Sequence, residues 1–545
     1  MFAALNSFLT RAVSGYFLNK SLRFRSSASA YLNRTPATAT NQTTWTWSAW
    51  VKRGALADGT LFSAGVSSQP YATLAFSSNQ LVFDCINSGP VVVGRKYTNA
   101  LYRDPAAWYH VVAVWNTTNG TAGNRMLLYV NGEQVTSFSL STDPASSATT
   151  QVNSTVAHQL GQFLSAGSYF DGELAEVNFV DGQALAPTAF GATGANSQWL
   201  PKAYTGTYGT NGFYLPFTNT TSTTTLVADS SGNGNNWTPN NISLTAGSTY
   251  DSLTDVPTLT SATVANYAVL NPLDSGSSTL SINGNLTYSN AAASHLGIRG
   301  SIAIPASGAF YMECVTGSTT NNTSAVAFGL GASTVSLTAT LSAQANLYQL
   351  WAALGGYIYN GATVISSSLG AFSAGDVMQI AVDVTNTKMW LGKNNVWYNS
   401  SGGTTGNPST GANPTFTTSM VGLFPTTGAY ANSVNANFGQ QPFTYTPPSG
   451  FLPLNTYNIA AGTVTTSGTF TGNLSTDGPM VYLNGTPTAM TINGNAVTFG
   501  THADKLANGF KVRSSSASYN ASGSNTYVAT TVAEVLKYEN AQPNP

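Results

Sequence analysis

Charge is what this 545-residue sequence has least of: 19 Lys+Arg and 20 Asp+Glu make up 7% of the chain, against roughly 25% in an average soluble domain. With a net charge of −1, the basic surplus needed for phosphate contacts is missing, so nucleic acid is not an expected partner. Cysteine is nearly absent too. Cys85 and Cys314 are alone and fall in different predicted domains, so no disulfide framework is expected. The four histidines, His110, His158, His295 and His502, are scattered and lack the H-x-x-H or H-E-x-x-H spacing of a zinc site. No apolar run approaches the roughly 18 residues of a membrane span, so no membrane partner is expected. Neither a G-x-S-x-G elbow for a serine nucleophile nor a Gly-x4-Gly-Lys phosphate loop occurs. Met1 to Lys20 looks like a signal peptide only superficially, with no cationic residue before Arg11 and no clear cleavage site.

What is present builds a core and many turns. Hydrophobic residues are 42% of the chain, aromatics 11%, and there are 52 glycines; the length predicts about three or four domains. Phe2, Leu5, Phe8, Leu9, Ala12, Val13 and Tyr16 recur at helical spacing. They predict a short N-terminal helix over residues 1–20, packed on its own domain or docked on a larger assembly. After Ser21 the period changes to two. Trp108–Trp115 (WYHVVAVW) is apolar on both faces, as in a strand buried on both sides. Met378, Ile380 and Val382 alternate with Gln379, Ala381 and Asp383, as in a half-exposed strand. Asn-Gly pairs at 131–132, 283–284, 360–361, 484–485 and 493–494 predict hairpin turns, which need positive φ at both positions. The fold class is therefore all-β: consecutive β-sandwich or jelly-roll domains behind a short N-terminal helix. Composition sets the boundaries. Residues 21–217 form the first sandwich, the Thr/Ser/Gly/Asn-rich residues 218–248 a linker, 249–454 a second sandwich and 455–545 a small C-terminal β module. The prolines of YTPPSG, Tyr445 to Gly450, mark the break before the last.

Several blocks carry a family resemblance. SLRFRSSASAYLNRTPA, TWTWSAWVKRG, AWYHVVAVW, NRMLLYVNGEQV and SYFDGELAEVNFVDGQALAPTAFG resemble a concanavalin A-like, laminin-G-type jelly roll. They are similar to the version found in tail fibres and spikes of tailed bacteriophages, as is the continuation WLPKAYTGTYGTNGFYLPF with DSSGNGNNWTPNN. YAVLNPLD, FYMECV, GDVMQIAVDVTNTKMWLGKNNVWYN and NANFGQQPFTYTPPSGF resemble a SPRY-type sandwich. DKLANGFKVRSSSASYNASG and VAEVLKYENA are similar to a small module that follows such sandwiches in phage proteins. The resemblance implies a non-enzymatic virion protein of the tail, extracellular and homotrimeric. It would be held to other tail or neck proteins by residues 1–20 and would contact a host surface glycan or receptor. Two alternatives stay open: a capsid decoration or architectural protein, and a polysaccharide depolymerase.

Glycoside hydrolysis needs two carboxylates across a cleft. The densest acidic stretch is Asp171, Glu173, Glu176 and Asp181. Strand alternation puts Asp171 and Glu173 on one face and points Glu173 and Glu176 oppositely, so no catalytic residue is assigned. Asp84, Asp104 and Asp171 offer oxygens for a rim calcium, but no loop has dense acidic spacing, so no metal or cofactor is expected. Sugars stack on exposed aromatic rings. Trp45 and Trp47 share a strand face and are expected in the core. Trp397 and Tyr398 follow the Lys393-Asn394-Asn395 turn, and Tyr204 and Tyr208 lie close to glycines; these four are the candidate ligand-binding residues.

Overall fold

The computed structural model describes residues 16–66, 69–164, 167–194, 198–276, 281–321, 324–339, 341, 344–353, 355–459, 463–483, 487–506 and 509–532. Among them, residues up to Asn458 form one compact unit and those from Ile459 onward a second. The predicted N-terminal helix falls mainly on residues 1–15, outside the described residues. Residues 16–20 carry no helix.

Alternation builds the first sandwich. In the strand Thr44–Arg53, Trp45, Trp47, Ala49 and Val51 enter the core, which leaves Thr46, Ser48, Trp50 and Lys52 on the outer face. This strand lies between Trp108–Asn116 and Gly172–Asp181. Ser21–Phe24 and then Ser252–Leu253 extend the sheet beyond Gly172–Asp181. The facing sheet runs from Phe138–Thr142 through Val92–Leu101, Gln80–Ile86, Tyr71–Ser77, Gly59–Gly65, His158–Leu160 and Tyr31–Arg34 to Thr238–Asn240. As predicted, Trp108–Trp115 is buried on both faces.

Residues 218–248 are not a linker. Leu226, Val227 and Trp237 belong to the first core, and Thr238–Asn240 pairs with Tyr31–Asn33. The polar composition that reads as a loose loop is instead a hydrogen-bonded cap. The Asp229 carboxylate accepts from the amides of Tyr214 (2.9 Å), Ser231 (2.8 Å) and Asn235 (2.8 Å) and from the Ser231 hydroxyl (2.8 Å). Such Asx contacts satisfy backbone groups that lack a ladder.

The second sandwich has its own core, from Tyr267 to Leu454, between a seven-stranded and a nine-stranded sheet. Its strand Val377–Asp383 is buried on both faces except at Asp383, not half-exposed. Tyr311, Trp390, Phe443 and Phe451 cover the side that carries Ala381, and the Glu313 carboxylate anchors the covering segment by accepting from the amides of Thr444 and Tyr445 (2.8 and 2.9 Å). The break expected at Tyr445–Gly450 does not end this sandwich, because Leu452–Pro453 returns to pair with Phe310–Tyr311. The C-terminal unit packs a four-stranded against a three-stranded sheet around Ile492, Phe510, Val512 and Ala529.

Positive φ at both residues confirms the Asn-Gly turns at 131–132, 283–284 and 493–494, while at 360–361 only Gly361 is in that region; the pair at 484–485 lies outside the described residues. Cys85 and Cys314 are free and buried. Among the described residues, no helix is long and apolar enough to cross a membrane.

Candidate functional site

Trp397 and Tyr398 offer no ring to a ligand. They are 8% and 5% exposed. Trp397 packs edge-on to Tyr311 at 6.2 Å, and Tyr398 lies in the second core. The hairpin after the Asn394-Asn395 turn folds back onto its own strand, and the exposed residue is Val396.

Tyr204 and Tyr208 do come together, half-buried on the outer face of the first sandwich. Their rings meet edge to face at 5.0 Å, and Tyr208 stacks on Tyr214 at 6.3 Å. Tyr214 is presented outward because Phe213 and Leu215 on either side enter the core. Phe190 closes the other end of the row, 5.1 Å from Tyr204. Polar groups sit beside the rings. Tyr208 donates to Asn178 Oδ1 (2.8 Å), and Tyr214 donates to Glu176 Oε2 (2.9 Å). Tyr16 donates to Glu176 Oε1 and lies 3.0 Å from the Tyr214 hydroxyl.

Glu176 reaches this face through a bulge. The pairing of Gly172–Asp181 with Thr44–Arg53 slips between Ala175 and Asn178, and Glu176 has φ 55°. The extra residue resets the phase, so Glu173 and Glu176 lie on the same outer face, contrary to simple alternation. They nevertheless form no open acid pair. Glu173 is 1% exposed and accepts from the Ser21 hydroxyl at 3.2 Å, while Glu176 is 5% exposed beneath its tyrosines. Burial pushes the Glu176 carboxyl up to about 7, and the two tyrosine hydroxyls pull the other way. Burial, then the nearby Glu176 charge, raises the Tyr16 and Tyr214 hydroxyls above the usual tyrosine range.

With its folded pKa near 7, up from 4.5, Glu176 holds its proton more tightly folded than unfolded. Its contribution is complete below pH 4.5 and is lost as pH rises through 7. Glu176→Gln is expected to be neutral or slightly destabilising at pH 4.5 and more stable than the parent at pH 8, by about 3 kcal/mol at 1.36 kcal/mol per unit. Paired denaturant melts at the two pH values check this. A stability difference that does not change with pH would sink it.

The remaining candidates are structural. His110 is fully enclosed, with Nε2 2.9 Å from Ser48 Oγ and Nδ1 accepting from Trp199 Nε1 (2.9 Å); burial lowers its pKa to about 3. Asp84 is paired with Arg95 (2.7 Å), Asp104 accepts from the Ala106 amide (2.8 Å), and Asp171 accepts backbone amides from three segments. Among the described residues no group of three or more His, Cys, Asp or Glu is placed to hold a metal.

A second aromatic face went unread in the sequence. On the outer side of the seven-stranded sheet, His295 lies 4.8 Å from Trp351 and 4.6 Å from Tyr430, and Trp351 lies 6.0 Å from Tyr359. The available signal was the spacing in LYQLWAALGGYIYN, which sends Leu350 and Ile358 inward and Trp351 and Tyr359 outward.

Residues 26–189 match the laminin-G family described as the concanavalin A-like lectin/glucanases superfamily. No curated protein matches the chain in sequence. Among solved structures, domains LG4-5 of the mouse laminin α1 chain are 11% identical, covering 81% of this chain and 96% of that one with a TM-score of 0.27. A heptameric SAP-like pentraxin from Limulus polyphemus is 17% identical, covering 31% of this chain and 78% of that one with a TM-score of 0.24. A human SPRY domain is 18% identical, covering 28% of this chain and 91% of that one with a TM-score of 0.22.

Proposed function

We propose that this chain is a bacteriophage tail fibre or spike protein that attaches to a host surface glycan or receptor without cutting it. The observation that carries the reading is the half-buried tyrosine row Tyr204–Tyr208–Tyr214 on the outer face of a lectin-type sandwich. Aromatic rings stack on the C–H faces of sugars. The family matched by residues 26–189 contains glucanases as well as lectins. Hydrolysis is disfavoured because Glu173 and Glu176, though on one face, are buried and hydrogen-bonded. The scarcity of charge, 7% of residues, fits contacts that depend little on salt. The protein works as a homotrimer in the virion tail, where weak sites on several copies add through effective concentration. Residues 1–20 join it to neighbouring tail or neck proteins.

Purified, fluorescently labelled protein added to host cells tests this. It is expected to bind the cells and block infection by the intact phage. Tyr204→Ala with Tyr208→Ala should weaken binding about tenfold, the loss of one or two kcal/mol of ring contact. A chain lacking residues 1–15 should bind cells as before yet fail to enter particles. Protein that neither binds cells nor blocks infection would instead identify a decoration or architectural protein.

A further inference from the structure

Lys52 is a buried amine aimed at a buried carboxyl. It projects from the outer face of Thr44–Arg53, and its Nζ lies 2.6 Å from Asp255 Oδ2, 2.8 Å from Asn266 Oδ1 and 3.2 Å from the Tyr267 carbonyl oxygen. Lys52 is 1% exposed and Asp255 0%. The other carboxyl oxygen, Asp255 Oδ1, accepts from Trp108 Nε1 (3.1 Å) and from the Tyr267 amide (3.4 Å). Glu173, 1% exposed, stands directly across the ladder from Lys52. Ser21 Oγ bridges it to this segment, 3.2 Å from Glu173 Oε2 and 2.7 Å from the Asp255 carbonyl oxygen.

We propose that Lys52 and Asp255 condense spontaneously into an intramolecular isopeptide bond. The observation behind it is this placement of a nucleophile, an acceptor carbon, two donors for a developing oxyanion and a third ionisable group in one water-excluded site. A buried ion pair is a poor stabiliser because desolvation offsets its attraction, and burial raises the pKa of the Asp255 carboxyl, which favours its neutral acid. One proton passes from Nζ to Oδ2. The amine keeps two N–H groups for Asn266 Oδ1 and the Tyr267 carbonyl, which turns its lone pair towards Asp255 Cγ. Attack forms the Nζ–Cγ bond and places negative charge on Oδ1, where Trp108 Nε1–H and the Tyr267 amide stabilise it. The Oδ2 hydroxyl then takes a second proton from Nζ. The Cγ–Oδ2 bond then breaks and water leaves. Both hydrogens of that water come from the lysine, so the step needs no oxidant and no co-reactant. Asn266 is the weaker acceptor, since its carboxamide nitrogen is held by the Ala106 carbonyl (2.9 Å) and, among the described residues, no backbone donor supports its oxygen.

The bond would tie the first sandwich to the segment leading into the second, closing a loop across 203 positions. It would do in a nearly cysteine-free chain what a disulfide does elsewhere.

Mass spectrometry of the purified full chain, denatured and intact, tests this. The chain is expected to be lighter than its sequence mass by one water, and a protease digest should contain a branched peptide joining Lys52 to Asp255. Lys52→Arg keeps the charge and the fold but has no such nucleophile, so it should show the full sequence mass with an unchanged circular dichroism spectrum. A parental chain of full sequence mass after prolonged incubation in the folded state would overturn the proposal. Loss of one ammonia, with Lys52 joined to Asn266, would overturn the choice of Asp255. Neither outcome bears on whether the protein binds host cells.

Discussion

Asp171→Ala is expected to uncouple the two sandwiches and to cost about 4 kcal/mol, at the upper end for a single substitution. The carboxylate is 5% exposed and is where three segments meet. It accepts from the Ser26 amide and hydroxyl (3.2 and 2.6 Å), from the Ala55 amide (3.2 Å), and from the amides of Asn283 and Gly284 (2.8 and 2.9 Å). The last two form the Asn-Gly turn of a hairpin in the second sandwich, whereas the others belong to the first. An alanine leaves these donors without a partner, each lost charge-assisted bond being worth roughly 1.5–3 kcal/mol before relaxation. Differential scanning calorimetry should resolve separate transitions for the two sandwiches in the variant. Protease should also cut within residues 256–266, which join them. A parental thermogram would show that the turn does not dock the sandwiches.

The second large effect is expected at Asp251. This carboxylate, fully buried, accepts from Arg23 Nε (3.1 Å), Arg25 Nε (2.8 Å) and Arg25 NH2 (3.0 Å), and from the Ser243 amide (2.8 Å). The Arg23 side chain is 1% exposed, and burial already lowers its pKa. Asp251→Ala leaves two guanidiniums without their counter-charge, which costs about 3–5 kcal/mol for a broken buried pair. The contrast is informative. Combining Arg23→Met, Arg25→Met and Asp251→Leu removes the charges together and should recover much of the loss, because the desolvation penalty goes with them. Urea melts of both variants measure this. A triple variant less stable than the single one would mean that the bonds of Arg23 to the Ser248 and Tyr250 carbonyls (2.8 and 3.0 Å) outweigh the ionic contribution.

Both predictions concern segments whose roles the sequence disguises. Trp45 and Trp47 are legible because strict alternation leaves one face for them, and the Asn-Gly turns are legible because few other pairs tolerate positive φ twice. The bulge at Ala175–Glu176 is not. A single added residue reverses every orientation after it, and no residue type announces it, so simple alternation puts Glu176 on the wrong face. Residues 218–248 resemble a linker for a different reason. Ser, Asn and Gly signal the absence of regular ladders, and the same residues order a loop when an aspartate such as Asp229 gathers its amides. Trp397 and Tyr398 show the limit of inferring exposure from a nearby turn, since the tip of a hairpin is open while the residue beyond it is already back on the sheet. Of the four candidate binding residues, the two tyrosines near glycines share one face. Their partners Tyr16 and Tyr214 come from segments nearly two hundred positions apart in the chain, and sequence spacing does not join such segments.

The most direct test of the account is to measure binding and cleavage on one sample. Isolated host surface polysaccharide is incubated with the full-length protein, then assayed for bound protein and for new reducing ends. The protein is expected to be retained on the glycan, less so with the Tyr204→Ala and Tyr208→Ala pair, with no reducing ends above the protein-free control. Reducing ends that accumulate with time and disappear in Glu173→Gln or Glu176→Gln would contradict it and make the protein a depolymerase.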